Sequence, residues 1–219
     1  MTFEDRADAG RKVAQALQGY AGREDVQVLA MPRGGVPVAF EVAQALHAPL
    51  DVFLCRKLGV PGQEELAFGA VATGGVRVVD EQIVEAVGLT PGEMDAITER
   101  ERAELERRER LYRAGRPPLD VAGRTAILVD DGIATGASMF ASVRALRKLK
   151  PARIVVAVPV VPASTCRKLK AEVDELVCVY SPGSFYAIGQ FYLDFSQLTD
   201  GEVVELLERA AAPVVSANV

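Results

Sequence analysis

Residues 126–138 read AILVDDGIATGAS, and few folds accommodate such a run. Four aliphatic residues predict a buried strand, and two adjacent aspartates end it. A turn containing Gly132, Thr135, Gly136 and Ser138 follows, after which the pattern becomes helical. In an open α/β sheet, ligands bind beyond the carboxyl ends of the strands. Asp130 and Asp131 are expected at such an end.

The rest of the chain supports the same architecture. Residues 5–20 have helical spacing, with Ala9, Val13, Ala16 and Leu17 on one face. Strands are predicted over 26–31, 50–55, 125–129, 153–161 and 176–180, and helices over 36–47, 137–150 and 163–171. Residues 56–66, rich in Gly, Pro and charge, read as a loop. Residues 68–72 and 76–79 read as a hairpin turning at Thr73-Gly74-Gly75. Thr199-Asp200-Gly201-Glu202 is a capping box opening a last helix to about residue 210, and the tail 213–219 is expected to fray. Alternating strands and helices predict an α/β fold, an open, mostly parallel sheet with helices on both faces. A composition that is 49% hydrophobic, without Trp, suits strands buried on both sides. The expectation is one domain over 1–219, with a helical insertion at 80–118 and a small C-terminal hood at 181–198.

The insertion has its own signature. Thr90-Pro91-Gly92-Glu93 is a helix start with a hydroxyl cap, Pro in the first turn and Glu three residues after the cap. Glu104 with Arg108 and Glu106 with Arg110 are i,i+4 pairs in the favourable order. Met94, Ile97, Leu105 and Tyr112 form only a thin apolar seam. The helix is expected on the surface with a solvated charged face, and a contact in a homo-oligomer is its second reading.

Several function classes fall away. A net charge of −5 gives no basic footprint for nucleic acid. Cys55, Cys166 and Cys178 are far apart, with no metal-ligand spacing, and are expected as reduced core thiols. The acidic, polar start MTFEDRADAG is not a secretory signal, and no apolar stretch reaches membrane-spanning length, so a soluble cytoplasmic protein is expected. The single histidine, His47, falls at a predicted helix end and is expected on the surface.

The turn after Asp131 aims backbone N–H groups at a point where a helix N-terminus adds positive potential. Gly132 and Gly136 are expected to let an anion approach the backbone, and Thr135 and Ser138 add hydroxyls. Carboxylates beside a phosphate cup would repel the phosphate, so they are expected to face hydroxyls one sugar ring away, or a divalent cation. A ribose 5-phosphate group satisfies both halves. A Walker A loop needs Lys where Ala137 stands, and the dinucleotide GxGxxG fingerprint is missing.

LVDDGIATGAS resembles the phosphoribosyl diphosphate (PRPP) motif of the type I phosphoribosyltransferases. Gly132 and Ala134 depart from that pattern, where aliphatic and hydroxyl residues are commoner. By resemblance, Asp130 and Asp131 contact the ribose 2′- and 3′-hydroxyls, and Gly132, Ile133, Ala134, Thr135, Gly136, Ala137 and Ser138 hold the PRPP. Pro32-Arg33-Gly34-Gly35 is similar in place to the family's pyrophosphate loop, with Arg33 a diphosphate partner and the Gly34 and Gly35 amides beside it. RKLGVPGQEELAFGAV, residues 56–71, is similar in place to the family's mobile catalytic loop, with Arg56 and Lys57 as candidates for diphosphate oxygens. The whole pattern resembles stand-alone or fused bacterial members of unassigned substrate.

The resemblance implies Mg²⁺-dependent transfer of the phosphoribosyl group of PRPP to a nucleobase or related small nitrogen acceptor, with release of pyrophosphate. The catalytic set would be Asp130, Asp131, Arg33 and Lys57. Mg²⁺ would be held through PRPP, with Asp130 and Asp131 as possible ligands. Phe185, Tyr186, Gln190 and Tyr192 are base-binding candidates, set against a packing role for the aromatics. The alternative is a non-catalytic PRPP- or nucleotide-binding regulator on the same fold.

Overall fold

The computed structural model describes residues 1–211, Glu65 by its backbone alone. The tail 213–219, expected to fray, lies outside the described residues. In chain order the elements are α1 (Arg6–Ala16), β1 (Val26–Ala30), α2 (Gly35–Leu46), β2 (Leu50–Val52), β3 (Cys55–Val60), β4 (Gln63–Ala72), β5 (Val76–Val79), α3 (Glu81–Val87) and α4 (Pro91–Tyr112). They continue with β6 (Thr125–Val129), α5 (Ala137–Lys148), β7 (Arg153–Val160), α6 (Ala163–Lys170), β8 (Glu175–Tyr180) and α7 (Asp200–Ala211).

Five strands form a parallel sheet in the order β2-β1-β6-β7-β8. Every residue of β1 and β6 is buried, which is why both read as unbroken aliphatic runs. Side chains alternate between faces. Val28, Ile127 and Val155 pack with α1, α2 and α7, while Leu29, Leu128 and Val156 pack with α5 and α6. Helices thus cover both faces, as the alternation predicts.

A second sheet, antiparallel in the order β3-β4-β5, corrects the loop expected over 56–66. Leu58 and Val60 are buried beside Phe68 and Ile97, so this stretch has an apolar face. Gly59 reads as a breaker but serves close approach: a Cβ there would lie 2.9 Å from the Glu64 carbonyl oxygen. Strand β2 consequently ends at Val52, and Cys55 belongs to β3.

In the insertion between β5 and β6, α3 comes first and α4 starts with the predicted box. Glu93 N–H donates to Thr90 Oγ1 at 3.3 Å, and Thr90 N–H donates to Glu93 Oε2 at 2.9 Å. Helix α4 buries Ile97, Leu105 and Tyr112. Just beyond it, Arg113 makes a two-pronged pair with Asp51 at 3.0 Å on each oxygen, and the Tyr112 hydroxyl bonds Asp200. The charged face is therefore partly tied to the body.

Candidate active site

Strands β1 and β6 are neighbours, yet the chain leaves β1 toward β2 and leaves β6 toward β7 on the other side. A crevice forms at such a switch point. The segments after these strands meet there. The Met31 N–H donates to the Val129 carbonyl at 2.9 Å, and the Pro32–Arg33 peptide beyond it is cis. A Cβ at Gly34 would lie 2.0 Å from Asp131 Oδ2, and one at Gly35 would lie 2.7 Å from the Val129 carbonyl oxygen. Two motifs read separately in the sequence thus form one surface that only glycine permits.

The acids differ. Asp131 is 7% exposed, whereas Asp130 is partly open. Asp131 Oδ2 takes Arg6 Nε at 2.8 Å, and the Asp131 carbonyl accepts the Tyr192 hydroxyl at 2.6 Å. Asp130 Oδ1 accepts the Asp131 N–H at 2.9 Å. Although Asp130 is only partly buried as a residue, desolvation of its carboxyl by the surrounding packing pushes it well above its usual range, and the neighbouring Asp131 charge pushes it further. Burial also raises Asp131, but Arg6 opposes the shift. Charge in this pair is therefore favoured on Asp131.

Within 132–138 the first two residues are buried and the next ones are mostly exposed. The Ile133 N–H donates to the Val160 carbonyl at 2.9 Å, and its side chain is 3% exposed. A Cβ at Gly132 would strike Ile188 Cγ2 at 2.7 Å, so this glycine serves packing. Ala134, Thr135, Ala137 and Ser138 are exposed at the start of α5, around Gly136 with φ of 86°. These four, with the α5 N-terminus, make an open amide and hydroxyl surface suited to an anion.

The cations lie around this surface, and Arg33 and Arg56 each face a carboxylate of the chain. Arg33 Nη1 stands 3.8 Å from Asp200 Oδ1. Arg56 donates to Glu101 Oε2 from Nε at 2.9 Å and Nη2 at 2.6 Å, so the α4 face of the ribbon holds it. Lys57, one residue on, alternates to the other side of the strand, yet it borders the same cleft as Arg56 and Glu101. This cleft, of about 460 Å³, is also lined by Ser138, Gly62 and Arg100.

A family model described as phosphoribosyl transferase domain matches residues 3–196. The chain belongs to the phosphoribosyl transferase domain family. Proteins of two Mycobacterium tuberculosis strains, provisionally named phosphoribosyl transferases, are each 48% identical over 208 residues, covering 95% of this chain. The chain spans 47% of their length. The crystal structure of TT1426 from Thermus thermophilus is 42% identical, with a TM-score of 0.88, covering 97% of this chain and 100% of that one.

The hood of this phosphoribosyl transferase domain is mostly packed. Tyr192 is 7% exposed, with its ring 5.3 Å from Phe3 and 5.0 Å from Phe195, which leaves no open face for a base and corrects its place among the candidates. Phe185 is partly buried, 5.3 Å from Phe191. Tyr186 is 90% exposed, and Gln190 Oε1 accepts its N–H at 3.3 Å. Sequence reasoning missed Arg6. It sits 125 positions from Asp131 in a helix read only for its apolar face. Its one signal was a cation in a first turn, where the helix dipole favours acids.

Proposed function

We propose that this domain transfers the phosphoribosyl group of PRPP to a nucleobase or related small nitrogen acceptor, releasing pyrophosphate, in cytoplasmic nucleotide metabolism. One observation carries the reading: Gly34 and Gly35 pack directly on Asp130 and Asp131 at the switch point, with the exposed start of α5 alongside. In this reading the amides and hydroxyls of 134–138 hold the 5-phosphate, and the acid pair faces the ribose hydroxyls with Asp130 its open member. Gly34, Gly35, Arg33 and Lys57 border the diphosphate, and Arg56 joins them on exchanging Glu101 for it. The acceptor nitrogen forms a bond to C1 as the C1–O bond to diphosphate breaks. The electron pair leaves with pyrophosphate, and the acceptor proton passes to water. Positioning and electrostatics would do most of the catalysis. Tyr186 is the aromatic with an open face for the acceptor.

Among the described residues no group of three or more His, Cys, Asp or Glu could hold a metal ion. Two carboxylates beside a phosphate surface still fit Mg²⁺, which is commonly held by one or two carboxylates plus substrate phosphates. Asp130 and Asp131 would hold it with PRPP oxygens, and it would offset the leaving diphosphate's charge.

The regulatory reading draws on Arg33 and Arg56, each already paired with a carboxylate of the chain. Calorimetry with Mg²⁺ and PRPP on wild type and Asp130→Asn tests the first step, with binding expected only for wild type. A wild type that does not bind overturns the proposal. Pyrophosphate release is then screened across purines, pyrimidines and nicotinic-type acids. Binding without release for any acceptor replaces transfer with regulation.

A further inference from the structure

Arg6 opens α1, where a cation opposes the helix dipole, so the helix itself does not call for it. Its guanidinium makes three contacts from three directions. Nε donates to Asp131 Oδ2 at 2.8 Å, and Nη1 donates to the Ser196 carbonyl at 2.9 Å. Its Cζ lies over the Phe195 ring, 4.0 Å from the centroid. Arg6 and Asp131 side chains are only 11% and 10% exposed, so this ion pair lies largely out of water. Gly34 closes the other side, because any Cβ there would overlap Asp131 Oδ2. Asp130 has no such clamp: Oδ1 is engaged by the Asp131 N–H, and Oδ2 accepts no hydrogen bond among the described residues.

We infer that Arg6 is a positioning residue of this site, fixing the Asp131 carboxylate in the crevice wall and leaving Asp130 as the carboxylate that meets the ribose hydroxyls. The inference rests on the PRPP reading and divides the labour within the acid pair. An arginine suits the task, since a planar fork can bond a carboxylate and a carbonyl while stacking on a ring. A buried pair that loses one partner keeps an uncompensated charge, so removing Arg6 acts on the site through Asp131. Through Ser196 and Phe195 the same side chain ties the hood to the acid pair.

The experiment is a double-mutant cycle on the whole chain with Arg6→Gln and Asp131→Asn, read by calorimetric binding of Mg²⁺ with PRPP. Arg6→Gln is expected to weaken binding about tenfold when Asp131 is present and about twofold or less in the Asp131→Asn background. Arg6→Lys recovers part of the loss, keeping charge but not the fork. Equal losses in both backgrounds, or no loss in either, overturn the inference. Carbon-13 NMR titration of the Asp131 carboxyl supplies a readout without ligand, expected to move upward in Arg6→Gln. An unmoved titration also overturns the inference. Because it needs no PRPP, it separates failure of the Arg6 link from failure of the PRPP reading, which shows as a wild type that does not bind. Arg6→Lys carries both measurements if Arg6→Gln does not fold.

Discussion

A methyl group added at Gly35 would sit 2.7 Å from the Val129 carbonyl oxygen and 2.9 Å from Asp130 Cα. Both are backbone atoms where the buried strand β6 meets the acid pair, so neither can rotate aside. Gly35→Ala is expected to lower stability by about 1–3 kcal/mol by overpacking, measured by urea unfolding, and to weaken PRPP binding by displacing Asp130. An unchanged unfolding midpoint would show that the crevice can widen. Asp130 carries a different cost. Burial, then the Asp131 charge, raises its folded pKa above its unfolded value. A carboxyl raised in this way binds more protons folded than unfolded, so its share of stability falls as pH rises from the unfolded toward the folded pKa. Asp130→Asn should therefore raise the thermal midpoint at pH 7, with the gain shrinking as pH falls from the raised folded pKa toward the ordinary Asp range and gone below it. PRPP binding should be lost in the same variant. Thermal scans across pH check the sign, and a lower midpoint at pH 7 would reverse the assignment of Asp130 as the strained acid.

Among the elements, those read best from sequence are the ones whose rules are local. Thr90 and Glu93 stand three residues apart and close the box at the head of α4. Thr90→Ala is expected to cost about 1 kcal/mol, read by chemical denaturation, while leaving PRPP binding intact because the cap lies away from the crevice. A loss of binding would instead give α4 a part in the site. Strands β1 and β6 were equally legible, since full burial writes them as aliphatic runs. The ribbon of β3 and β4 was not. Gly59 and Gly62 look like loop residues in the sequence, yet a Cβ at Gly59 would lie 2.9 Å from the Glu64 carbonyl oxygen of the adjoining strand. The partner strand that explains Gly59 is invisible to local pattern. The acid pair and the Arg33-Gly34-Gly35 turn were legible as motifs, but their mutual contact was not. Gly132 packs against Ile188 and the Ile133 N–H bonds Val160, and a glycine needed against a side chain looks the same in sequence as one needed against an anion.

Across the whole molecule, the first residues of the chain and the segment after β8 close over the sheet's carboxyl edge together. The Leu193 N–H donates to the Phe3 carbonyl and the Asp194 N–H to the Glu4 carbonyl, both at 2.9 Å. Phe3, Ala9, Val160, Phe191 and Tyr192 form a core cluster of their own. The Tyr192 hydroxyl then reaches through this cluster to the Asp131 carbonyl. The hood is thus joined to the acid pair from two sides, by Tyr192 at the backbone and by Arg6 at the side chain. Tyr192→Phe keeps the ring packing and removes one donor from a buried carbonyl, a change worth about 1–2 kcal/mol. If the hood is a locally cooperative unit, the loss should be uneven, because segments open with their own free energies. In hydrogen exchange, the Leu193 and Asp194 amides should lose protection in Tyr192→Phe. The Met31 amide, bonded to Val129 in the sheet, should keep it. Equal loss at all three would mean that hood and sheet open as one body, and the Tyr192 hydroxyl would then act on global stability alone.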